Sequence, residues 1–358
     1  MLNTILDEPL NVWLRSQDTK ETIDSHIVLS SRVRLARNFK NIVFTNRNDQ
    51  GALEKVDTMM RGVLGVLKEA DGHEYSNISL NKLSDVEREI LVEKHLISPQ
   101  MSQNLPHRSL VVSDDASVAI MVNEEDHIRI QAMEAGLQLQ KAYEHAVKVD
   151  DAIESKCDYA FSERYGYLTA CPTNVGTGMR ASAMLHLPAL AMTGRLARLV
   201  RNIIQLGYSV RGLYGEGSQG LGNIYQISNQ VTMGISEEDT ITQLDKVLQK
   251  LVQEEVKARE IIKTGDMESF EDRVWRAYGI LQYARRLTGE EALSLLSDVQ
   301  LGRDLGILPV GDADMFNELV VTTRPNFLSK YAGKEHMTAA ERDSYRAKVV
   351  RDRLLRSK

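Results

Sequence analysis

Arginine side chains recur within short apolar segments of this sequence, where a buried charge is costly. The first such segment is SSRVRLAR, residues 30–37. In a strand, Arg32 and Arg34 project to one face, while Val33 and Leu35 project to the other. Neighbouring guanidinium groups repel each other and lose hydration when partly buried, so the pair favours an anionic partner with several oxygens, such as a polyphosphate. An exposed edge strand with scattered arginines explains this segment equally well when it is taken alone.

Three further segments place charged residues at strand ends or in glycine-rich turns. NEEDHIR (123–129) follows an apolar strand, CPTNVGTGMR (171–180) is a turn that delivers another arginine, and RGLYGEGS (211–218) pairs an arginine with a glutamate. Acidic residues at the end of a buried strand are a common way to present a site, but they are also common in solvated turns. Each segment is therefore a weak signal by itself.

Familiar phosphate-binding motifs do not account for this sequence. Residues 215–220 fit the GxGxxG pattern of dinucleotide sites, but that pattern requires a following helix, and NIYQIS (223–228) is typical of a strand. The sequence holds no GxxxxGK[ST] loop, no VAIK strand and no HRD motif, which excludes the P-loop enzymes and the protein Ser/Thr kinases. Phosphate binding would therefore fall to arginines.

The segments above need strands to position them, and the pattern predicts short strands with a few helices between them. The candidate strands are rich in Val, Ile, Tyr or Thr and lie at 26–36, 117–123, 127–133, 165–171, 208–214 and 223–229. Helices are predicted at 50–69, 84–95 and 188–206. The fold class is therefore α+β, with a largely antiparallel sheet flanked by helices.

A long helix is predicted to follow the sheet. Ser236 and Asp239 resemble a helix N-cap, and an apolar stripe continues from there to about Lys263. Residues 264–266 interrupt the periodicity, and the remainder looks mostly helical. The predicted division is an N-terminal extension at 1–23, a sheet-containing domain at 24–264 and a helical C-terminal domain at 265–358.

The composition bounds the class of protein. The 358 residues carry a net charge of −6, with 42% hydrophobic and 26% charged residues, as in globular proteins of about two domains. No apolar stretch approaches the roughly 20 residues of a membrane span, and acidic Asp7 and Glu8 stand where a secretory signal would be basic. Cys157 and Cys171 lack the spacing of a disulfide framework or a zinc site, so reduced thiols and a cytoplasmic location are expected. The acidic average disfavours a general nucleic-acid binder, although residues 339–358 hold seven Lys or Arg against three acidic residues.

Taken together and in this order, SSRVRLAR, NEEDHIRI, CPTNVGTGMR and RGLYGEGS closely resemble the catalytic core of the phosphagen (guanidino) kinases. The resemblance covers residues 24 to 264. It implies an antiparallel sheet, flanked by helices, that holds ATP as its magnesium complex. ATP and Mg²⁺ are therefore the expected cofactors, with no metal ligand predicted from the chain itself.

The resemblance also implies roles for individual residues. The clamp on the nucleotide phosphates would consist of Arg32, Arg34, Arg129, Arg180 and Arg211. One well-placed arginine can be worth roughly 10³ to 10⁵ in rate. Glu125 and Glu216 would grip the acceptor guanidinium, which must be oriented and relieved of a proton as it attacks. Cys171 would lie beside the same acceptor, unless it is an ordinary buried thiol.

The sequence also departs from the phosphagen kinases. Those enzymes carry a helical domain before the SxRVR strand that closes over a small substrate, whereas about 30 residues precede that strand here. Met184 and His186 stand where the phosphagen kinases usually have His and Lys. A short N-terminus with an added helical C-terminal domain resembles the bacterial protein-arginine kinases of the McsB type, which phosphorylate arginine side chains in proteins.

Membership of that group would imply particular partners and regulation. The implied partners are the activator McsA, the CtsR repressor of the heat-shock circuit, and the ClpC/ClpP protease, which receives marked proteins. A homodimer and an allosteric phosphoarginine pocket at an RDxxRA motif are implied as well, and Arg342, Asp343 and Arg346 supply that motif. A charged helix face with intrahelical pairs explains these three residues equally well.

Two other functions stay open at the level of sequence. One is a kinase for a small free guanidine, which the missing N-terminal domain disfavours. The other is a non-catalytic protein that binds phosphoarginine or nucleic acid through the basic C-terminal helices. Phosphate transfer to free arginine, to protein arginine, or to neither distinguishes the three.

Overall fold

The computed structural model describes residues 2–8, 11, 15, 26–212, 220–309, 311–312 and 314–356. Its central feature is an eight-stranded antiparallel sheet with the strand order β2-β3-β4-β5-β1-β8-β10-β9, beside a separate β6-β7 hairpin. The strands are β1 (Val28–Arg37), β2 (Tyr75–Ser79), β3 (Ser109–Ser113), β4 (Val118–Val122), β5 (Ile128–Ala135), β6 (Phe161–Ser162), β7 (Gly166–Tyr167), β8 (Met179–His186), β9 (Tyr208–Gly212) and β10 (Ile224–Asn229). The predicted antiparallel sheet is therefore confirmed.

Helices cover both faces of this sheet and continue to the C-terminus. They are α1 (Leu2–Asp7), α2 (Gln50–Gly62), α3 (Leu64–Asp71), α4 (Asp85–Glu93), α5 (Leu139–Glu154), α6 (Pro188–Met192), α7 (Leu196–Gln205), α8 (Glu237–Thr264), α9 (Met267–Tyr283), α10 (Gly289–Asp304), α11 (Met315–Thr322), α12 (Pro325–Tyr331) and α13 (Ala339–Arg356). The long helix is confirmed as α8, where the Ser236 side chain accepts a hydrogen bond from Asp239 N at 3.0 Å. The predicted helix at 188–206 is instead two helices, because Gly194 adopts a left-handed φ of 68° between them.

The strand predicted at 165–171 is wrong over most of its length. The structure has a strand at Gly166–Tyr167 and then irregular backbone. The cause is local hydrogen bonding: Ala170 N donates to the Asp126 carboxylate at 2.6 Å, and Thr169 Oγ1 donates to Cys171 O at 2.7 Å. These bonds replace the ladder that a strand would need.

Alternating side chains give the sheet two different faces. Val33, Leu35 and Ile130 belong to one face, which packs into a large hydrophobic cluster with residues of α2, α3, α5 and α8. On the other face, Met121 and Met133 join a smaller cluster that includes residues of α4 and α12. The apolar pattern of β1 thus decides which side chains remain for the second face.

The helices after residue 264 pack against the rest of the chain rather than apart from it. The large hydrophobic cluster runs from Ile27 through Val274 and Leu296 to Leu354 without a break at the predicted boundary. The division into domains at 24–264 and 265–358 therefore stays a prediction. Among the described residues, no helix combines the length and the apolar character that a membrane crossing requires.

A partly buried histidine on α5 provides a stability prediction. His145 Nε2 lies 3.3 Å from Asp71 Oδ2, and its Nδ1 lies 3.7 Å from Glu134 Oε1. Burial lowers the pKa of His145, but the hydrogen bonds and charges of Glu134 and Asp71 outweigh burial and raise it above its ordinary value. The protonated form is therefore favoured by folding. Its stabilisation is present below the unfolded pKa of about 6.5 and is lost as pH rises through the higher folded-state pKa.

We expect His145→Asn to lower the free energy of unfolding more at pH 6 than at pH 9, as measured by urea denaturation. The exposed His336 supplies the control, and the difference between the two pH values should be larger for His145→Asn than for His336→Asn. An equal loss at both pH values for His145→Asn would contradict the ion-pair account.

Candidate active site

The strand register brings four of the predicted arginines together. Arg34 on β1 lies directly opposite Arg180 on β8 and, on its other side, opposite Gln131 on β5. Directly opposed residues share a face of the sheet, as do residues two positions apart on one strand. Arg32 lies two positions before Arg34 on β1, and Arg129 lies two positions before Gln131 on β5. Both therefore share the face of Arg34 and Arg180.

Arg211 on β9 completes the set. It lies opposite Gln226 on β10, which lies opposite Met184 on β8. A side chain of β1 also contacts one of β10 on this face, because Arg32 Nη2 donates a hydrogen bond to Gln226 Oε1 at 3.0 Å. The surface that carries Arg32, Arg34, Arg129, Arg180 and Arg211 is called the arginine face below.

Arg37 shows that position on the strand decides the environment of each arginine. Arg37 lies on β1 two positions after Leu35, so its side chain is on the same face as those of Val33 and Leu35. That face is opposite to the arginine face. There Arg37 is 1% exposed, pairs with Asp150 at 2.7 Å and stacks 3.5 Å above the ring of Tyr167. Its charge is fully compensated within the protein. Arg37 is therefore a structural residue, and β1 divides its arginines into two kinds.

The arginine face is not compensated in the same way. Burial, and then the charges of Arg129 and Arg180, lower the pKa of Arg32 to about 10. Burial, followed by the charges of the neighbouring arginines, lowers the pKa of Arg34 well below its ordinary value, and Glu124 opposes that shift. Glu124 Oε1 pairs with Arg129 Nη2 at 2.5 Å. Arg32 and Arg34, by contrast, form no ion pair with a carboxylate of the described residues.

Unused donors accompany this charge. Arg34 Nε and Arg129 Nε are buried and have no hydrogen-bond partner among the described residues. Buried cationic donors without acceptors are costly, so their presence in a folded protein indicates a ligand that supplies acceptors. An oxyanion with several oxygens fits both the charge and the donors.

A polar cavity elsewhere in the structure differs from the arginine face, because its charged groups pair with one another. It has a volume of about 350 Å³, lies beside α5 and is lined by acidic and basic groups that pair with each other, as in Lys141 with Glu134 at 2.8 Å. His73, Asp114 and Asp115 also belong to this region, with potential ligand atoms within 4.8 Å of one another. His73 Nδ1 already lies 3.0 Å from Asp114 Oδ1. Because these charged groups pair with one another, they do not indicate a bound ligand, whereas the unused donors of Arg34 and Arg129 do.

A buried hydrogen-bond network joins the NEEDH and CPTN segments next to the arginine face. Asp126 Oδ1 accepts from Asn38 Nδ2 at 2.6 Å and from Ala170 N at 2.6 Å. Asn38 Oδ1 in turn accepts from His127 N at 2.9 Å, and Phe39 N donates to His127 Nδ1 at 2.9 Å. The residue after β1 thus fixes both loops relative to the strand that carries Arg32 and Arg34.

The glycines of the CPTNVGTGMR segment are required by close backbone contacts. Gly176 has a φ of 114°, and a Cβ added there would stand 2.1 Å from Thr232 O. Gly178 has a φ of 63°, and its Cβ would stand 2.6 Å from Ala36 O. No other residue fits these positions without moving the backbone. The segment predicted as a turn therefore runs directly into β8 and delivers Arg180 to the sheet.

The predicted acceptor residues have different surroundings. Glu125 is exposed and follows Glu124, which is buried and receives hydrogen bonds from Arg129 and Ser98. Cys171 is partly exposed, with Sγ 3.0 Å from Thr173 Oγ1. Glu216 lies outside the described residues. The structure therefore shows where two of the three predicted acceptor residues stand.

Several residues of this site are not among those predicted from the sequence. Glu124 and Asp126 stand within the NEEDH motif but were passed over for Glu125, and alternation along β5 could have indicated Gln131, two positions after Arg129. Gln226 carries no signal, because its contact with Arg32 depends on long-range strand pairing.

Comparisons with known proteins match both parts of this chain. Residues 55–258 match the ATP:guanido phosphotransferase C-terminal catalytic domain, and residues 267–358 match the protein-arginine kinase McsB C-terminal domain. The protein-arginine kinase of Syntrophomonas wolfei subsp. wolfei is 44% identical over 357 residues, covering 99% of this chain and 98% of that protein. The protein-arginine kinase of Halalkalibacterium halodurans is 45% identical over 355 residues, with the same coverage. The chain belongs to the protein-arginine kinase family.

A solved structure extends the comparison to the fold. Lombricine kinase matches with a TM-score of 0.58 and 22% identity, covering 74% of this chain and 76% of that one. At this level of identity the likeness shows the fold alone. The arginine face therefore lies on a sheet architecture that this chain shares with lombricine kinase.

The RDxxRA segment lies on α13, away from the sheet. Arg346 is 4% exposed and donates to Thr323 O at 2.9 Å, to Leu287 O at 2.8 Å and to Asp343 Oδ1 at 2.6 Å. Arg342 is partly buried and donates to Met337 O at 2.7 Å. Arg346 thus joins α13 to the turn after α11 and to the loop before α10.

The contrast between Arg34 and Arg37 leads to a prediction about this kinase-family site. Arg34→Met removes a repelled charge, so the unfolding temperature without nucleotide should stay the same or rise, while the rise produced by Mg-ATP should be lost. A ligand at about 100 times its Kd stabilises a protein by about 2.7 kcal/mol, so this loss is measurable by thermal unfolding.

Arg37→Met is the matched control on the same strand. It leaves Asp150 buried without its partner and should cost about 3 to 5 kcal/mol of unfolding free energy. The interpretation of the arginine face would fail if Arg34→Met proved as destabilising as Arg37→Met and still responded to Mg-ATP.

Proposed function

We propose that this protein transfers the terminal phosphoryl group of ATP to a guanidinium nitrogen of arginine side chains in other proteins. The observation that carries the proposal is the arginine face, which places five guanidinium groups on one side of the sheet and leaves Arg32 and Arg34 without an ion pair among the described carboxylates. Membership of the protein-arginine kinase family supports the choice of acceptor.

In this proposal the five arginines hold the nucleotide phosphates. ATP, bound as its magnesium complex, supplies the phosphoryl group. Arg32, Arg34, Arg129, Arg180 and Arg211 neutralise its charge and keep the transferring group in line with the acceptor. The lowered pKa values of Arg32 and Arg34 and the unused Nε donors of Arg34 and Arg129 fit this role, because phosphate oxygens would supply both negative charge and hydrogen-bond acceptors.

The acceptor needs a different environment from the phosphates. A guanidinium has no free lone pair and a pKa above about 12, so it attacks only as it loses a proton. Glu125 and Glu216 would orient the acceptor and take that proton. A P–N bond then forms as the P–O bond to ADP breaks. Cys171, which is partly exposed, would pair with the acceptor cation as a thiolate.

The exposure of the acceptor side supports a macromolecular substrate. Glu125 stands at the surface on a loop that Asp126 and His127 anchor from beneath. A carboxylate in this position can reach an arginine presented by an extended or unfolded chain. A free guanidine would gain little there, because few groups would remove it from water.

The direct test compares acceptors. Wild-type protein with Mg-ATP and an unfolded arginine-containing protein should give a mass increase that is lost in acid, because the P–N bond is acid-labile. Glu125→Gln should lower kcat by roughly 10²-fold or more, because the carboxylate both orients the acceptor and accepts its proton. Intact-mass analysis before and after acid treatment measures both effects.

Glu69→Gln, an exposed glutamate on α3, is the control and should leave the rate unchanged. Phosphorylation of free arginine but not of protein would favour the small-guanidine kinase. Full transfer after replacement of both Glu125 and Glu216 would refute the carboxylate roles.

We further propose that the cellular setting is that of the McsB-type kinases. On that resemblance the protein acts in the cytoplasm as a homodimer, is activated by McsA, acts in the CtsR heat-shock circuit and marks proteins for ClpC/ClpP. The supporting observation is the match of residues 267–358 to the C-terminal domain of this family.

We propose in addition that Arg342, Asp343 and Arg346 form an allosteric pocket for phosphoarginine. The two arginines stand four positions apart on α13, so their side chains lie on one helix face. Arg346 Nη2 makes no hydrogen bond with a described residue, which leaves it for a phosphate, while the Asp343 carboxylate suits the guanidinium of the ligand.

Arg342→Ala should weaken binding of phosphoarginine at least roughly tenfold, because it removes one of two cationic phosphate partners. Calorimetry measures the affinity, and a single-turnover rate checks that phosphoryl transfer is intact. Arg276→Ala on the exposed face of α9 is the control. Unchanged phosphoarginine binding in Arg342→Ala would remove the pocket.

A further inference from the structure

Residues 93–95 form a short connection between the C-terminal helices and the arginine face. Glu93 ends α4 and is 7% exposed, and both of its carboxylate oxygens are used. Oε1 accepts from Asn326 N at 3.0 Å and from Asn326 Nδ2 at 2.9 Å, while Oε2 accepts from Phe327 N at 3.1 Å. A residue more than two hundred positions away in sequence therefore caps the start of α12.

This contact is needed because α12 begins with Pro325. Proline has no N–H to donate, so Asn326 N and Phe327 N are the first backbone donors of the helix. Both are satisfied by Glu93 instead of by water. Any change in the position of α12 must move Glu93 or break these bonds, and a broken bond would leave a carboxylate buried without its partners.

The other end of the connection reaches Arg32. His95, two residues after Glu93, accepts a hydrogen bond at its carbonyl oxygen from Gln131 Nε2 at 2.7 Å. Gln131 Oε1 then accepts from Arg32 Nη1 at 3.3 Å, and Gln131 is 2% exposed. His95, Arg32 and Gln226 line one small cavity on the arginine face.

The backbone between these two ends has little freedom. Lys94 is 1% exposed and donates to Glu8 O at 2.7 Å and to Ile5 O, which fixes it against α1. His95 adopts a left-handed φ of 58°, a conformation that its neighbours must enforce. A displacement at Glu93 is therefore passed to His95 instead of being absorbed between them.

We infer that Glu93 and Gln131 are positioning residues through which the packing of α12 sets the orientation of Arg32. The inference rests on the proposed role of Arg32 in holding the nucleotide phosphates. Neither residue touches the reacting atoms. Gln131 fixes one guanidinium nitrogen of Arg32 and Gln226 fixes the other, so the cation is held against the repulsion of Arg129 and Arg180 before a nucleotide arrives.

The connection also reaches the RDxxRA segment. Thr323, two residues before α12, accepts a hydrogen bond at its carbonyl oxygen from Arg346 Nε at 2.9 Å. The contacts that position Arg32 therefore continue through α12 to α13.

The test uses Glu93→Gln, which exchanges one acceptor oxygen for an NH₂ group that faces Phe327 N–H. We expect Mg-ATP binding to weaken roughly 3- to 30-fold, measured by calorimetry, with a matching rise in KM for ATP. Gln131→Met should have a similar effect from the other end. The double variant should be no weaker than the weaker single variant, because both interrupt one connection.

Glu255→Gln is a matched control. Glu255 is fully buried, and its carboxylate accepts from Ala189 N at 3.0 Å and Leu190 N at 2.9 Å in the first turn of α6, which also begins with a proline. It should lower the unfolding temperature as Glu93→Gln does but leave Mg-ATP affinity unchanged. If Glu93→Gln does not fold, Asn326→Ala removes one of the same hydrogen bonds and should weaken Mg-ATP binding in the same direction.

The outcomes separate two failures. Wild-type protein that shows no saturable binding of Mg-ATP would overturn the proposed function itself. Wild-type binding combined with Glu93→Gln and Gln131→Met variants that match Glu255→Gln, destabilised but with unchanged affinity, would overturn the positioning role alone. Additive losses in the double variant would show that the two residues act separately and would likewise overturn it.

Discussion

The mutual repulsion of Arg32, Arg34, Arg129 and Arg180 is the constraint on which the rest of this structure depends. Like charges held close together separate wherever the backbone allows it. Here the backbone is a sheet, and its opposite face is fixed by Val33, Leu35 and Ile130 in the large hydrophobic cluster. A slip of one residue in β1 would bury Arg32 and Arg34 in that cluster and expose its apolar side chains. Hydrophobic burial on one face therefore fixes the charges on the other.

The alternation of side chains along β1 could be predicted from the sequence, and it correctly predicted which residues of this strand belong to the site. It placed Arg32 and Arg34 on one face, and the same parity explains why Arg37 pairs with Asp150 instead. What sequence could not supply was register across strands. β8 was not predicted because Gly176 and Gly178 are typical of a loop. In the structure both glycines have positive φ angles, and β8 begins directly after Gly178. Strand pairing is non-local, so Gln226 had no signal in the sequence near Arg32.

The site divides into a rigid part and a more exposed part. The arginines stand on paired strands, whereas Glu125 and Cys171 stand on loops held by the buried contacts of Asp126 with Asn38 and Ala170. This division suits a transfer in which the phosphates must be fixed and the acceptor varies. It also explains why the NEEDH motif contains more structural residues than catalytic candidates. Asp126 and His127 are needed to hold Glu125 where an acceptor can reach it.

The departure of His186 from the phosphagen pattern follows from the packing of the C-terminal helices. His186 ends β8, and its Nε2 lies 2.8 Å from Ser297 Oγ on α10, while its ring packs 4.7 Å from that of Phe316 on α11. Burial holds the pKa of His186 well below its ordinary value, so a neutral imidazole fits this apolar contact. A lysine here would require a buried charge. The C-terminal helices thus cover the end of β8, the strand that carries Arg180. Together with the contact of Glu93 with α12, this packing makes the C-terminal helices part of the support for the arginine face.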